Sequence, residues 1–207
     1  MGAFQGSISY CKFHVQGELP DSYASAFVRR IRNRAFEPLA PDDEVDRRWG
    51  WCSISDPFDL DLDSEKIFFN SYLNLGLRID RWALPKPLLR ANMKQAIRAA
   101  LEKKDRDRLS RKEKDELKLT VVRKLRRQTL PTMKVIDLSW NLQTGVLRFW
   151  NRSKKTTDLM QDFFEKTFER KLLPHSAYSI ALRAKISDRD MKQFEALEPA
   201  VFHAEVR

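Results

Sequence analysis

The sequence predicts an α+β fold: an antiparallel sheet with packed helices, into which a basic two-helix hairpin is inserted. Three observations predict it. Short β-branched and aromatic runs recur on both sides of a central helical stretch. That stretch opens on Pro85 and Pro87 and carries two successive apolar rows at helical spacing. The whole net charge of +10 also lies within it. Between Lys86 and Pro131 there are sixteen Lys and Arg against six Asp and Glu, and elsewhere the two signs balance.

Taken in order, Ser7–Val15 mixes β-branched and aromatic residues and is expected to be a strand. Asp21 or Ser22 can cap a helix with Tyr23, Phe27 and Ile31 on one face, which ends before Pro38. An acidic loop with Asp42, Asp43, Glu44 and Asp46 follows, then the short apolar run around Trp49 and Trp51 and a polar turn region from Asp56 to Glu65. Lys66–Leu84 fits one long strand, or a hairpin bent near Asn74–Gly76.

The insertion begins at Pro85. Leu89, Met93, Ile97 and Leu101 form an i+4 row on its first helix. A polar hinge leads to Ser110, which with Glu113 has the spacing of a capping box. The second helix runs to about Arg127 with Leu117, Val121 and Leu125 inward, and the short hinge predicts an antiparallel pair. Two strands joined through Asn141–Gly145 come next. A helix with Leu159, Phe163, Phe164 and Phe168 inward is expected to end at Pro174. Tyr178–Ile186 is predicted as a strand, and Ser187 as the cap of a last short helix. The core is thus placed in 1–84 and 132–207, and the hairpin in 85–131.

Charge points to a polyanionic partner. Arg90, Lys94 and Arg98 follow one another at i, i+4 and i+8 and form a ridge whose like charges repel. On the second helix, Lys112, Arg123, Arg126 and Arg127 fall in one arc opposite the apolar row and are expected to be exposed. With Arg111, Lys118, Lys124 and Lys134 they make up the predicted DNA-binding set. The sequence has neither zinc-finger spacing nor the aromatic pair of an RNA-recognition fold, so backbone contact without sequence choice is expected.

Other chemistry is less well provided for. Asp59, Asp61 and Asp63 alternate and could hold Mg²⁺, as in a nuclease. They also imitate the start of a calcium loop, but Ser64 and Asn70 stand where its Gly and bidentate Glu belong. His14, His175 and His203 have no ligand spacing, and the five tryptophans fit core positions in strands. Cys11 and Cys52 match no metal or disulfide pattern and are expected to be buried free thiols. No signal-peptide pattern and no membrane-spanning apolar run is visible, so the expected location is cytoplasmic and nucleoid-associated. No cofactor is implied. A third class, a protein-interaction module whose basic helices bind an acidic partner protein, fits the same charge pattern.

The order of several stretches is similar to a known family. These are "AFEPL" and "WGWCSI" after the first helix, "LPKPLLRANMKQAIRAALEKK", "LSRKEKDELKLTVVRKL", and "TMKVIDLSWNLQTGVLRFWNRSKKTTDLMQDFF". From about Tyr10 to Pro174 the chain resembles the RdgC family of recombination-associated DNA-binding proteins. The resemblance implies a homodimer able to close into a ring around duplex DNA, without sequence selection, and to restrain the recombinase RecA. It makes the helical hairpin a tip that meets its partner's tip. Two departures stand out. The connection from Arg126 to Asp137 lacks the family's aromatic finger. The shared stretch ends at Pro174, whereas family members carry a second half that helps close the ring's base.

Overall fold

Leu73, Leu75, Leu77 and Ile79 alternate along one strand and set the apolar face on which the fold is built. The computed structural model describes residues 2, 3 and 9–198. Its strands are β1 (Cys11–Val15), β2 (Arg47–Cys52), β3 (Phe68–Phe69), β4 (Tyr72–Arg81), β5 (Thr132–Asn141), β6 (Val146–Phe149) and β7 (Leu172–Pro174). The helices are α1 (Tyr23–Arg32), the single turn α2 (Ser64–Ile67), α3 (Lys86–Lys104), α4 (Arg111–Arg126), α5 (Lys154–Phe168), α6 (Ala177–Arg183) and α7 (Asp188–Glu195). The strands form one antiparallel sheet in the order β2-β4-β5-β6-β1-β7, with β3 paired to the start of β4. This is the α+β class that the sequence predicts.

Register carries the apolar face across the sheet. Leu73 pairs with Trp140, Leu75 with Leu138 and Leu77 with Ile136, while Trp140 pairs with Leu147 and Phe13 with Leu147 on its other side. Directly paired residues share a face, so one continuous apolar surface results. Helices α1 and α5 cover it with Phe27, Ile31, Met160, Phe164 and Phe168. Burying aromatic side chains of this size contributes a few kcal/mol each. The Trp51 indole N–H donates to the Thr167 hydroxyl at 3.0 Å, so even this polar atom is satisfied within the core.

The opposite face of β4 is polar in sequence yet buried. Arg78 donates to both carboxylate oxygens of Asp80, at 3.0 and 2.7 Å, and to the Pro57 carbonyl at 3.2 Å. Its guanidinium lies 4.1 Å from the Phe36 ring centre and 5.1 Å from that of Phe58. Pro57 and Phe58 therefore reach over Arg78 on the sheet's second face, while the turn itself stays largely exposed.

Three expectations are corrected. The chain reverses at Asn70, which takes a left-handed conformation (φ 51°), not near Asn74–Gly76. Gly76 sits inside β4 because a Cβ there would stand 2.7 Å from Cys52 Sγ. Helix α5 ends at Phe168, with Glu169 left-handed (φ 56°), and Leu172–Pro174 then adds a strand to β1. Tyr178–Ile186 is not a strand: Ser176 and Ser179 exchange capping bonds and start α6. Ser7 and Ile8 of the first predicted strand lie outside the described residues, as does His203. Both cysteines are free thiols, but only Cys52 is buried, which pushes it up to about 12, while Cys11 is half-buried.

Gly50 is the closest backbone contact in β2. Trp51 N donates to the Arg34 carbonyl (3.0 Å), and Phe36 N donates to the Trp51 carbonyl (2.8 Å). A Cβ on Gly50 would stand 2.6 Å from Phe36 N, which is backbone and cannot swing aside. Gly50→Ala is expected to lower stability by about 2 kcal/mol, as overpacking does, read from urea denaturation midpoints. An unchanged midpoint would refute this packing.

Two histidines that look unrelated in sequence meet where α6 docks on β1. Arg183 donates to His14 Nδ1, which leaves the His14 proton on Nε2 to donate to His175 Nδ1 at 2.7 Å. Burial, then the charges of Arg183, His175 and Lys12, lower His14 to about 4. The unfolded chain takes up that proton near pH 6.5, and the native state does not. Stability is therefore full above about pH 6.5 and falls as the pH drops towards about 4, by on the order of 2–3 kcal/mol. His14→Gln is expected to flatten that slope in a pH series of denaturation midpoints. A parallel slope in the variant would sink the assignment.

Candidate nucleic-acid interface

The hairpin is built by local signals. Pro87 near the start of α3 has the fixed φ that a helix start needs. Asp105 closes α3 in a left-handed conformation (φ 47°). Ser110 and Glu113 form the predicted capping box: Glu113 N donates to Ser110 Oγ (3.3 Å), and Ser110 N donates to Glu113 Oε2 (2.8 Å). Lys104 also pairs with Glu113, and this bond above all holds Glu113 down to about 2. Helix α3 packs on α4 and has no fully buried residue; Leu89, Met93, Ile97 and Leu101 are half-buried. Val121 and Leu125 of α4 are buried, and Leu117 is half-buried.

The predicted basic residues fall into two groups. Arg90, Lys94 and Arg98 are exposed along α3, and Arg111, Lys112, Lys118 and Lys124 are exposed on α4. Among the described residues none of these seven has a carboxylate within ion-pair distance. Lys134 is likewise exposed and unpaired, on β5.

The C-terminal turn of α4 is different. The expectation that Arg126 is exposed is overturned, because its side chain is only 5% accessible. It donates to the Asp43 carbonyl and pairs with the Asp46 carboxylate, and its guanidinium lies 5.7 Å from the Trp82 ring centre. Arg127 pairs with Asp42 at 3.0 Å, and Arg123 reaches the same carboxylate at 4.0 Å. The acidic loop is thus the counterion of the arginine run. Sequence inspection sets these as two separate charge clusters, since nothing local joins residues some eighty positions apart.

The alternating aspartates are occupied by cations. Asp59 pairs with Lys66 at 2.8 Å, Asp61 reaches Lys66 at 3.6 Å and Arg32 at 3.4 Å, and Asp63 pairs with Arg32. The Lys66 hydrogen bond holds Asp59 below the usual carboxylate range. Among the described residues no three His, Cys, Asp or Glu side chains converge as metal ligands. The tryptophans are mostly core, as expected. Trp51, Trp82 and Trp140 are buried, whereas Trp49, 39% exposed beside Arg47, and the half-buried Trp150 are not.

No protein-family model matches this chain, and no curated protein matches it. Among the described residues, no helix is long and apolar enough to cross a membrane.

Burial separates two neighbouring arginines that look alike in sequence. Arg126→Ala is expected to cost about 2 kcal/mol, from lost charge-assisted hydrogen bonds and packing. Arg127→Ala, an exposed pair, should cost about 0.5 kcal/mol or less. Thermal melts of the two single variants check this, and equal melting temperatures would contradict it.

Proposed function

We propose that this chain binds duplex DNA without sequence selection, as a homodimer resembling the RdgC family, and modulates recombination by occupying DNA and limiting RecA. The observation that supports the reading most is the ridge of Arg90, Lys94 and Arg98. These three cations lie along a helix that packs only lightly, no carboxylate lies within ion-pair distance of them, and Glu102, one turn beyond Arg98, relieves only the last step of the row. A line of phosphates is the partner that such a spacing fits. The contact is expected to run along α3 and the hinge-side half of α4, through Arg111, Lys112 and Lys118; Lys124, though unpaired, lies in the last turn of α4 beside Asp42. The Arg123–Arg127 turn, where Asp42 repels phosphate, contributes less than its sequence suggests.

A gel-shift series between roughly 50 and 200 mM salt tests the reading. Each phosphate contact contributes a log–log slope of about −0.9. Replacing Arg90, Lys94 and Arg98 together by Gln should flatten the slope by up to about three such contacts and weaken all sequences alike. Asp42→Asn should tighten binding at low salt and lose this effect at high salt. Binding indifferent to salt would overturn the phosphate reading. Two other outcomes point elsewhere. Capture of an acidic protein that bulk DNA does not displace would favour an interaction module. Mg²⁺-dependent DNA cleavage lost in Asp61→Ala would favour a nuclease.

A further inference from the structure

A second basic feature lies away from the exposed faces of the hairpin, at the end of the sheet from which the hairpin departs. Arg47 on β2 is paired directly with Arg81 on β4, Arg81 with Thr132 on β5, and Ile79 with Lys134. Arg47, Arg81 and Lys134 therefore share the helix-bearing face of the sheet, on three adjacent strands. The first turn of α5 brings Lys155, Ser153 and Thr156 over them. Together these side chains line an open cleft of about 440 Å³.

The charges in this cleft are unfavourable as they stand. Like charges directly opposite each other in a sheet are destabilising, and Arg47 faces Arg81. Cations at a helix N-terminus oppose the helix dipole, and α5 begins Lys154-Lys155. The usual remedies are missing. Helix α5 has no acidic residue in its first turn, and the Ser153 hydroxyl at the N-cap position accepts no bond from the helix, whose Thr156 and Thr157 N–H groups donate to the Ser153 carbonyl instead. By contrast, α4 and α7 each have a bonded Ser cap and an acid in the first turn. No carboxylate lines the cleft, and none of its four cations has an ion-pair partner among the described residues.

A solvated patch would not require three adjacent strands and a helix start to aim their costs at one concavity. One anion offsets all of them. Guanidinium groups recognise tetrahedral oxyanions through paired N–H donors, and the backbone N–H groups of Lys154 and Lys155, which have no intrahelical acceptor, add to them.

We propose that the cleft formed by Arg47, Arg81, Lys134 and Lys155 at the start of α5 is a phosphate-binding site, separate from the exposed surface of the hairpin. The phosphate can belong to a nucleic-acid strand or to a free nucleotide. The chemistry recognised is the same, and the site does not depend on the hairpin's binding duplex DNA.

The test compares the whole wild-type chain with two variants: Arg81→Gln/Lys134→Gln in the cleft, and Arg90→Gln/Lys94→Gln/Arg98→Gln on the hairpin. Melting is followed against inorganic phosphate, with chloride as control, at constant ionic strength. Phosphate should raise the melting temperature of the wild type and of the hairpin variant but not of the cleft variant. Without phosphate, the cleft variant should melt no lower than wild type, because its repulsion is relieved. No response in the wild type, or an equal response in the cleft variant, overturns the site. Duplex binding lost in the hairpin variant with its phosphate response intact would separate this site from the hairpin interface. Titration with a nucleoside monophosphate and with a 5′-phosphorylated oligonucleotide identifies the source. A strand that binds tenfold tighter marks a nucleic-acid contact, and equal affinity marks a nucleotide site; both support the cleft. Binding of each that is unchanged by Arg81→Gln/Lys134→Gln counts against it.

Discussion

The seating of the hairpin depends on one buried guanidinium. Arg126 ends α4, and its bonds reach backwards to Asp43 and Asp46 in the loop before β2. The same Asp46 accepts the backbone N–H of Trp82, the residue that follows β4 and precedes α3, at 2.9 Å. Both roots of the insertion are thereby tied to a single loop residue. An arginine suits this post because its fork satisfies a carbonyl and a carboxylate together while its flat face lies near the indole ring.

This arrangement redistributes the charge that the sequence concentrates in one segment. Part of the excess on α4 is neutralised within the molecule, by a loop that carries four of the acids. The unneutralised part is left on α3 and along the exposed side of α4, while the cations of the cleft beside α5 lie outside that segment. Sequence could identify Arg90, Lys94 and Arg98 because their spacing is local and helical. It could also single out Lys134. It could not group Lys134 with Arg47, Arg81 and Lys155, because strand register and the docking of α5 bring those four together. For the same reason it could not tell Arg126 from Arg127: consecutive on the helix, they differ only in which one meets Trp82.

The legible parts of the fold were those with local chemistry. The Ser110–Glu113 box, the Ser187 cap, the proline start of α3 and the alternation in β4 each follow from neighbouring residues. The errors came where composition outweighed geometry. Of the two readings open for Lys66–Leu84, the strand holds from Tyr72 to Arg81 and the bend near Gly76 fails: Gly76 is a strand residue thinned to admit Cys52, and Asn70 turns the chain. Tyr178–Ile186 has the residue types of a strand, yet two serines at capping distance make it helical. Strand β7 is too short to show a period at all; it forms because β1 offers an open side.

The two margins of the sheet are unequal in sequence but alike in what they prevent. At one, the segment before Phe36 lies along β2 and takes up hydrogen-bonding groups of Trp51. At the other, β7 is three residues long and ends in Pro174, which has no N–H to offer. A sheet closed off in this way gives a second chain little to extend. Should two copies associate, they would have to do so through side-chain surfaces, and crowding at high concentration should not seed cross-β stacking from these edges.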